Sequence, residues 1–169
     1  FAASPNAGVA DTGPGVGAAT GDFNRDGFFD LFLVNDSGVA SRLYQNNGNG
    51  TFTDIASQAG IPDLGLNSRG AIFADLDNDA SPDLYIIRNS ETNVLLMNDG
   101  AGKLADQSSS AGATLPLSAR QFAAGDYDED GLIDLFVAGN PFTVLRNNSP
   151  KTNHFVQIRT RGTRSNRLG

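Results

Sequence analysis

Asp22-Phe23-Asn24-Arg25-Asp26-Gly27-Phe28-Phe29-Asp30 runs directly into Leu31-Phe32-Leu33-Val34, and this stretch decides the fold. Oxygen-bearing side chains stand at positions 1, 3, 5 and 9 of a nine-residue run, and an apolar segment follows at once. The pattern returns at Asp75-Leu76-Asp77-Asn78-Asp79-Ala80-Ser81-Pro82-Asp83, followed by Leu84-Tyr85-Ile86-Ile87. It returns again at Asp126-Tyr127-Asp128-Glu129-Asp130-Gly131-Leu132-Ile133-Asp134, followed by Leu135-Phe136-Val137. The leading aspartates are 53 and 51 residues apart. A period of about 50 residues suits one four-stranded propeller blade.

The remainder of each repeat corresponds as well. Arg42-Leu43-Tyr44-Gln45-Asn46-Asn47-Gly48 aligns with Val94-Leu95-Leu96-Met97-Asn98-Asp99-Gly100 and with Val144-Leu145-Arg146-Asn147-Asn148-Ser149. Each is read as a short strand running into a tight turn, because Asn-Gly and Asp-Gly accept positive φ. Thr51-Phe52-Thr53-Asp54 then forms a fourth strand, and Lys103-Leu104-Ala105-Asp106 is its weaker copy. Residues 55–59 and 107–111 are read as a helical turn or a blade-to-blade link. No long 3.6-residue periodicity is present, so little helix is expected. The expectation is an all-β chain of three four-stranded blades. Blade 1 covers 1–60 with loop 22–30, blade 2 covers 61–113 with loop 75–83, and blade 3 covers 114–152 with loop 126–134. Residues 153–169 form a separate segment, in which 154–160 alternates enough to be a strand.

The loop spacing points to calcium. Side-chain oxygens of Asp22, Asn24, Asp26 and Asp30 can converge when the chain wraps tightly, as can those of Asp75, Asp77, Asp79 and Asp83, and those of Asp126, Asp128, Asp130 and Asp134. The backbone carbonyl at position 7, supplied by Phe28, Ser81 or Leu132, fills the gap, as in other calcium loops. Calcium accepts about 6–8 oxygens in flexible geometry, whereas magnesium resists losing its water. No His or Cys enters the pattern, which disfavours zinc and copper. The bland alternative is a solvated acidic turn. Three copies at a fixed period, each feeding a strand, argue against it, since bare carboxylates so close together repel. An EF-hand fails because position 12 is Leu33, Ile86 or Val137 rather than an acid, and because the flanks are strands. At position 6 stand Gly27, Ala80 and Gly131, so Ala80 carries a strain if a left-handed conformation is needed there.

Composition agrees with a cation-binding fold. The 169 residues carry a formal charge of −7, with 19 acids, 12 Lys and Arg, no Cys and 20 Gly. Eleven of the acids occupy loop ligand positions, so the charge is local and calls for a counter-ion. The absence of Cys excludes a disulfide scaffold and a thiolate metal site. No apolar run approaches the roughly 18 residues of a membrane span. No acid follows Asp134, while Arg146, Lys151, Arg159, Arg161, Arg164 and Arg167 do. A solvated face explains that basic end better than nucleic acid, which is not expected as a partner.

Catalytic signals are weak. His154 is the single His and has no visible nucleophile beside it. Ser4, Ser37 and Ser41 lie in no nucleophile-elbow pattern. Gly13-Pro14-Gly15-Val16-Gly17 lacks the Lys-Ser/Thr of a phosphate loop. Asp54, Asp63, Glu91 and Asp106 form no paired set. The chain is therefore expected to be no enzyme, with a carbohydrate-active site on a propeller scaffold as the remote alternative. Asn35, Asn49 and Asn147 open glycosylation triplets.

Together the three loops and their strands resemble the FG-GAP/VCBS repeats, the calcium-binding blades of integrin-α-like propellers, from about Val16 to Leu145. The segment from Asn153 to Gly169 resembles the opening of an ASPIC/UnbV domain, as found in cartilage-acidic-protein-like and bacterial secreted chains. The resemblance implies three Ca2+ sites on the loop residues already named, and an extracellular or cell-surface module for adhesion, recognition or assembly. Ala80 departs from the usual Gly. A closed propeller takes about 4–8 blades. Three blades thus imply either the remainder of a larger propeller or other copies of the chain as partner, in a ring or as the structural subunit of a surface polymer. A protein or glycan ligand is the further partner implied.

Overall fold

The computed structural model describes residues 6–64 and 67–150, apart from the side chains of Pro116 and Leu117. The first sheet has the order β1 (Gly15–Gly21), β2 (Asp30–Asn35), β3 (Arg42–Asn46), β4 (Phe52–Asp54). A helical turn, α1 (Ala56–Ala59), follows and ends at Gly60, whose φ is 86°. The second sheet repeats the order with β5 (Ser68–Ala74), β6 (Asp83–Thr92), β7 (Val94–Asn98) and β8 (Leu104–Asp106). The distal end of β6 also pairs with β9 (Pro116–Ser118), a short strand with no counterpart for the first blade among the described residues. The third sheet contains β10 (Gln121–Gly125), β11 (Asp134–Ala138) and β12 (Thr143–Leu145). All described pairings are antiparallel, as hairpin-connected blades require.

The fold is thus all-β and blade-like, as the repeats indicate. Among the described residues the third sheet shows three strands where four were expected. The strand expected at 154–160, the segment 153–169 and His154 lie outside the described residues. The turn expected at 107–111 is present: the Ala111 N–H donates to the Gln107 carbonyl at 2.9 Å, matching the Ala59 N–H to Ile55 carbonyl bond at 2.8 Å in α1.

The three hairpins share one register. Gly21 pairs with Asp30, Ala74 with Asp83, and Gly125 with Asp134. Each Asp loop therefore bridges the first two strands of its blade in the same way. The innermost strands are neighbours in turn, with β1 against β5 and β5 against β10. That approach is close enough to exclude side chains. A Cβ on Gly17 would lie 3.1 Å from the Arg69 carbonyl oxygen, and one on Gly21 would lie 2.8 Å from Phe73 Cβ.

The hydrophobic core is divided between the blade interfaces. Phe23, Phe32, Val34, Leu43, Leu84, Ile86, Leu96 and Leu104 pack between the first and second blades. Leu76, Tyr85, Ile87, Leu95, Leu135 and Val137 pack between the second and third. Successive residues of β6 alternate between the two clusters, because side chains on a strand point to opposite faces. The middle blade is covered on both sides, so Asp83 to Ile87 are all buried, whereas β2 alternates buried and half-buried. Each fully buried aliphatic side chain contributes about 1.5–3 kcal/mol, so the interfaces between blades carry a large apolar contribution.

Candidate metal centre

Each loop folds around its own carboxylates. At position 1, Asp22 accepts the N–H groups of Asp26 (3.0 Å) and Gly27 (2.9 Å). Asp75 does the same with Asp79 and Ala80, and Asp126 with Asp130 and Gly131. At position 5, Asp26, Asp79 and Asp130 each accept the N–H of position 7, at 2.9, 2.7 and 3.0 Å. These turns require positive φ twice per loop. Position 6 provides Gly27 at 89°, Ala80 at 71° and Gly131 at 89°, as expected from the two glycines. Position 4 provides Arg25 at 58°, Asn78 at 59° and Glu129 at 60°, which nothing in the sequence announced.

Position 9 does something else. Asp30, Asp83 and Asp134 are essentially fully buried. One oxygen of each accepts the N–H of position 2, from Phe23, Leu76 or Tyr127, at 2.9–3.1 Å. The other accepts the N–H of Asn46, Asn98 or Asn147, at 2.8 Å in every blade. The last Asp of the loop thus fastens it to the third strand.

The structure gathers the carboxylates of Asp75, Asp77 and Asp79, and those of Asp126, Asp128 and Asp130, with one oxygen of each within 4.8 Å of the others. Position 9 belongs to neither triad. In the first loop Asn24 stands where the others have Asp. Its amide donates to Asp26 at 2.9 Å and its oxygen accepts the Asp26 N–H at 3.1 Å.

The electrostatics of the donor set fit a hard cation. Burial pushes the Asp83 carboxyl up to about 7, against two backbone N–H bonds that lower it, with the charges of Asp77 and Asp79 adding to the rise. Asp30 is raised mainly by burial, with Asp26 and Asp22 contributing. Asp77 is raised by burial and then by Asp79 and Asp75. Asp26 moves the other way, held low by the Phe28 N–H and the Asn24 amide. The Ser81 hydroxyl is buried in the second loop with no hydrogen-bond partner among the described residues. A divalent cation relieves exactly such crowding of oxygens, and an all-oxygen set selects calcium over softer metals.

Neighbouring blades are tied through the same turns. The Asn98 amide donates to the Phe23 carbonyl of the preceding loop at 2.7 Å and to the Pro82 carbonyl of its own at 3.0 Å. Asn147 repeats this with Leu76 (2.6 Å) and Ile133 (3.0 Å). Asn46, in the first blade, donates to the Phe29 carbonyl at 3.0 Å. Position 4 also reaches forward: Arg25 donates to the Gly100 carbonyl, and Asn78 to the Gly131 carbonyl. Asn46, Asn98 and Asn147 read as turn residues in the sequence; their recurrence one residue before the turn was the available signal for this bridging role.

A family model for FG-GAP-like repeats matches residues 22–86 and again 75–137. The chain belongs to the FG-GAP-like repeat family. Each match begins at the first Asp of a loop and ends in the strand after the next loop, so the family unit joins two adjacent blades. Cartilage acidic protein 1 of Xenopus tropicalis is 29% identical over 146 residues, covering 85% of this chain and 22% of that protein. The Mus musculus protein of the same name is 31% identical over 132 residues, covering 77% and 20%. The chain therefore spans about a fifth of the length of these relatives.

Other residues singled out in the sequence have structural places in this FG-GAP-like chain. The Ser41 hydroxyl accepts the Asn35 N–H. Asp54 pairs with Arg42 at 3.1 Å. Of the glycosylation triplets, Asn35 is buried and its amide is bonded to Asp11 and Ala40, and Asn147 is the bridge just described. Asn49 lies exposed on the turn before β4. No helix among the described residues is long and apolar enough to cross a membrane.

Proposed function

We propose that the chain is a calcium-stabilised, extracellular or cell-surface β-propeller module that serves adhesion, recognition or assembly rather than catalysis. The observation that carries this is the gathering of three carboxylates in the second and third loops on one common backbone cradle. Calcium would be held at three sites: by Asp22, Asn24, Asp26, Asp30 and the Phe28 carbonyl; by Asp75, Asp77, Asp79, Asp83 and the Ser81 carbonyl; and by Asp126, Asp128, Asp130, Asp134 and the Leu132 carbonyl. When bound, the ion supplies charge neutralisation, and the loops supply oxygens already turned inward by their own N–H bonds. Its part is to lock each hairpin, and through position 9 and the Asn bridges the lock extends from blade to blade.

The partner proposed is the remainder of a propeller or further copies of the chain. Asn98 and Asn147 each spend an amide N–H on the preceding blade, whereas Asn46 has its described bond only within its own. A blade set before the first would meet that amide. Calorimetry with calcium, together with melting in calcium and in chelator, tests the metal. Three sites and a melting temperature that falls in chelator are expected; no heat of binding and no shift would sink the proposal. Light scattering with and without calcium tests the assembly.

A further inference from the structure

The three loops differ in the residue immediately before the bridging Asn. That position holds Gln45 in the first blade, Met97 in the second and Arg146 in the third. The Gln45 amide is near enough to the Asp26 carboxylate to help hold it low, after the Phe28 N–H and the Asn24 amide. Met97 has no charge or donor to offer. Arg146 lies across two triad carboxylates, with Nε 2.7 Å from Asp128 Oδ2 and Nη2 3.4 Å from Asp130 Oδ2. These are positions 3 and 5 of the loop, two of the groups a bound ion would bridge. The placement is fixed from the backbone. Asn147, next in sequence, is held by Asp134 through its N–H and by Leu76 and Ile133 through its amide. The preceding Leu145 is registered against Leu135. From this anchored strand end Arg146 extends over the third loop.

We propose that Arg146 is the resident counter-cation of the third loop, so that calcium must compete there with a guanidinium while meeting neutral Gln45 and Met97 at the equivalent positions of the other two. The inference rests on the proposal that the loops bind calcium. A guanidinium keeps its charge at every accessible pH, and its planar fork suits two carboxylates at once. It satisfies in part the same oxygens as a metal ion, without leaving the chain. The third loop is thus the least dependent on calcium in its folding and the weakest in affinity for its carboxylate number. The ion pair is half-exposed, so salt weakens it.

The loop carries its own reporter. Tyr127, at position 2, is the only Tyr of the three in the chain that lies inside a loop. Terbium, a luminescent stand-in for calcium, is excited by a nearby phenol, so Tyr-sensitised emission reads the third site selectively. Calcium would be titrated against bound terbium on the whole chain, with wild type, Arg146→Met and Arg146→Gln compared. Total stoichiometry would be followed by calorimetry, and melting measured in chelator.

Both variants are expected to bind calcium at the third loop roughly two- to fivefold more tightly at low salt, with the gain shrinking as salt is added. Their melting temperature in chelator should fall below that of wild type, and the other two sites should be unchanged. If both variants bind calcium at the third loop equally or more weakly than wild type, Arg146 supports the ion rather than competing with it, and the inference is overturned. If wild type binds no calcium at any loop, the proposed function falls with it, and calorimetry distinguishes the two failures. Arg146→Gln reproduces the residue found in the first blade, so it guards against an effect peculiar to Met.

Discussion

Ala80 places a methyl group where the other loops have Gly, and its φ of 71° is left-handed. That conformation costs an L-residue about 1–2 kcal/mol. Ala80→Gly removes the strain but frees the unfolded chain, which returns about 0.4–1 kcal/mol. A net gain of about 0.5–1 kcal/mol is expected in urea unfolding, present in chelator as well as in calcium because the strain is in the backbone. Asp83→Asn has the opposite sign. The carboxylate accepts N–H bonds from Leu76 and Asn98 on separate oxygens, and the replacement turns one acceptor into a donor. With that N–H left buried and unpaired, a loss of about 1–3 kcal/mol is expected, together with loss of calcium at the second loop. At this scale the two Asp triads and the left-handed position 6 were legible, because Asp spacing and paired Gly are residue-type signals. The left-handed position 4 was not. Arg25, Asn78 and Glu129 share no chemistry, and the conformation is imposed by the N–H groups converging on position 1.

Strands and turns were legible for the same reason that they form. Apolar runs follow each loop, and Asn-Gly or Asp-Gly closes the outer hairpins of the first two blades. What the sequence left open was the surroundings of each strand. Leu31–Val34, Leu84–Ile87 and Leu135–Val137 look alike as strings, yet only β6 is buried on both faces, because only the middle blade has described neighbours on either side. The short β9 was missed altogether, since three residues show no period. The Asn bridges act at this same scale and yield a comparison within one protein. Asn98→Ala strands two carbonyls, one of them across the blade interface, so about 2–3 kcal/mol is expected. Asn46→Ala strands one exposed carbonyl within its own blade, the turn N–H bonds of Gly48 and Gly100 to the two Asn oxygens being lost alike in both variants, and should cost about 1 kcal/mol less than Asn98→Ala. Equal losses for the two variants in urea unfolding would mean that the cross-blade bond contributes nothing.

Across the whole molecule, the balance of charge and burial makes stability depend on pH in a direction set by the loops. An unfolded Asp titrates near pH 4. In the folded, calcium-free chain burial raises Asp83 to about 7, and Asp30 and Asp77 move the same way. A folded carboxyl with a raised pKa binds protons more tightly than the unfolded one, so its contribution is fully present below about pH 4 and is lost as pH climbs toward 7. Asp11, Asp26, Asp36 and Asp99 are shifted down and act in the other direction, but only as pH falls below about 4. Between about pH 4 and 7 the buried loop acids therefore decide the slope, and the chelated protein should melt at progressively lower temperature as pH rises. Calcium reverses this by favouring the ionised loops, so the calcium-induced gain in melting temperature should grow across the same interval. Binding near pH 6 must then expel protons, which calorimetry detects as an observed heat that changes between buffers of different ionisation enthalpy. A chelated melting temperature that rises from pH 5 to 7, with buffer-independent heats, would mean that the buried aspartates are already ionised and neutralised within the fold. Calcium would then meet carboxylates that are already charged, and its gain in melting temperature would not vary with pH across that interval.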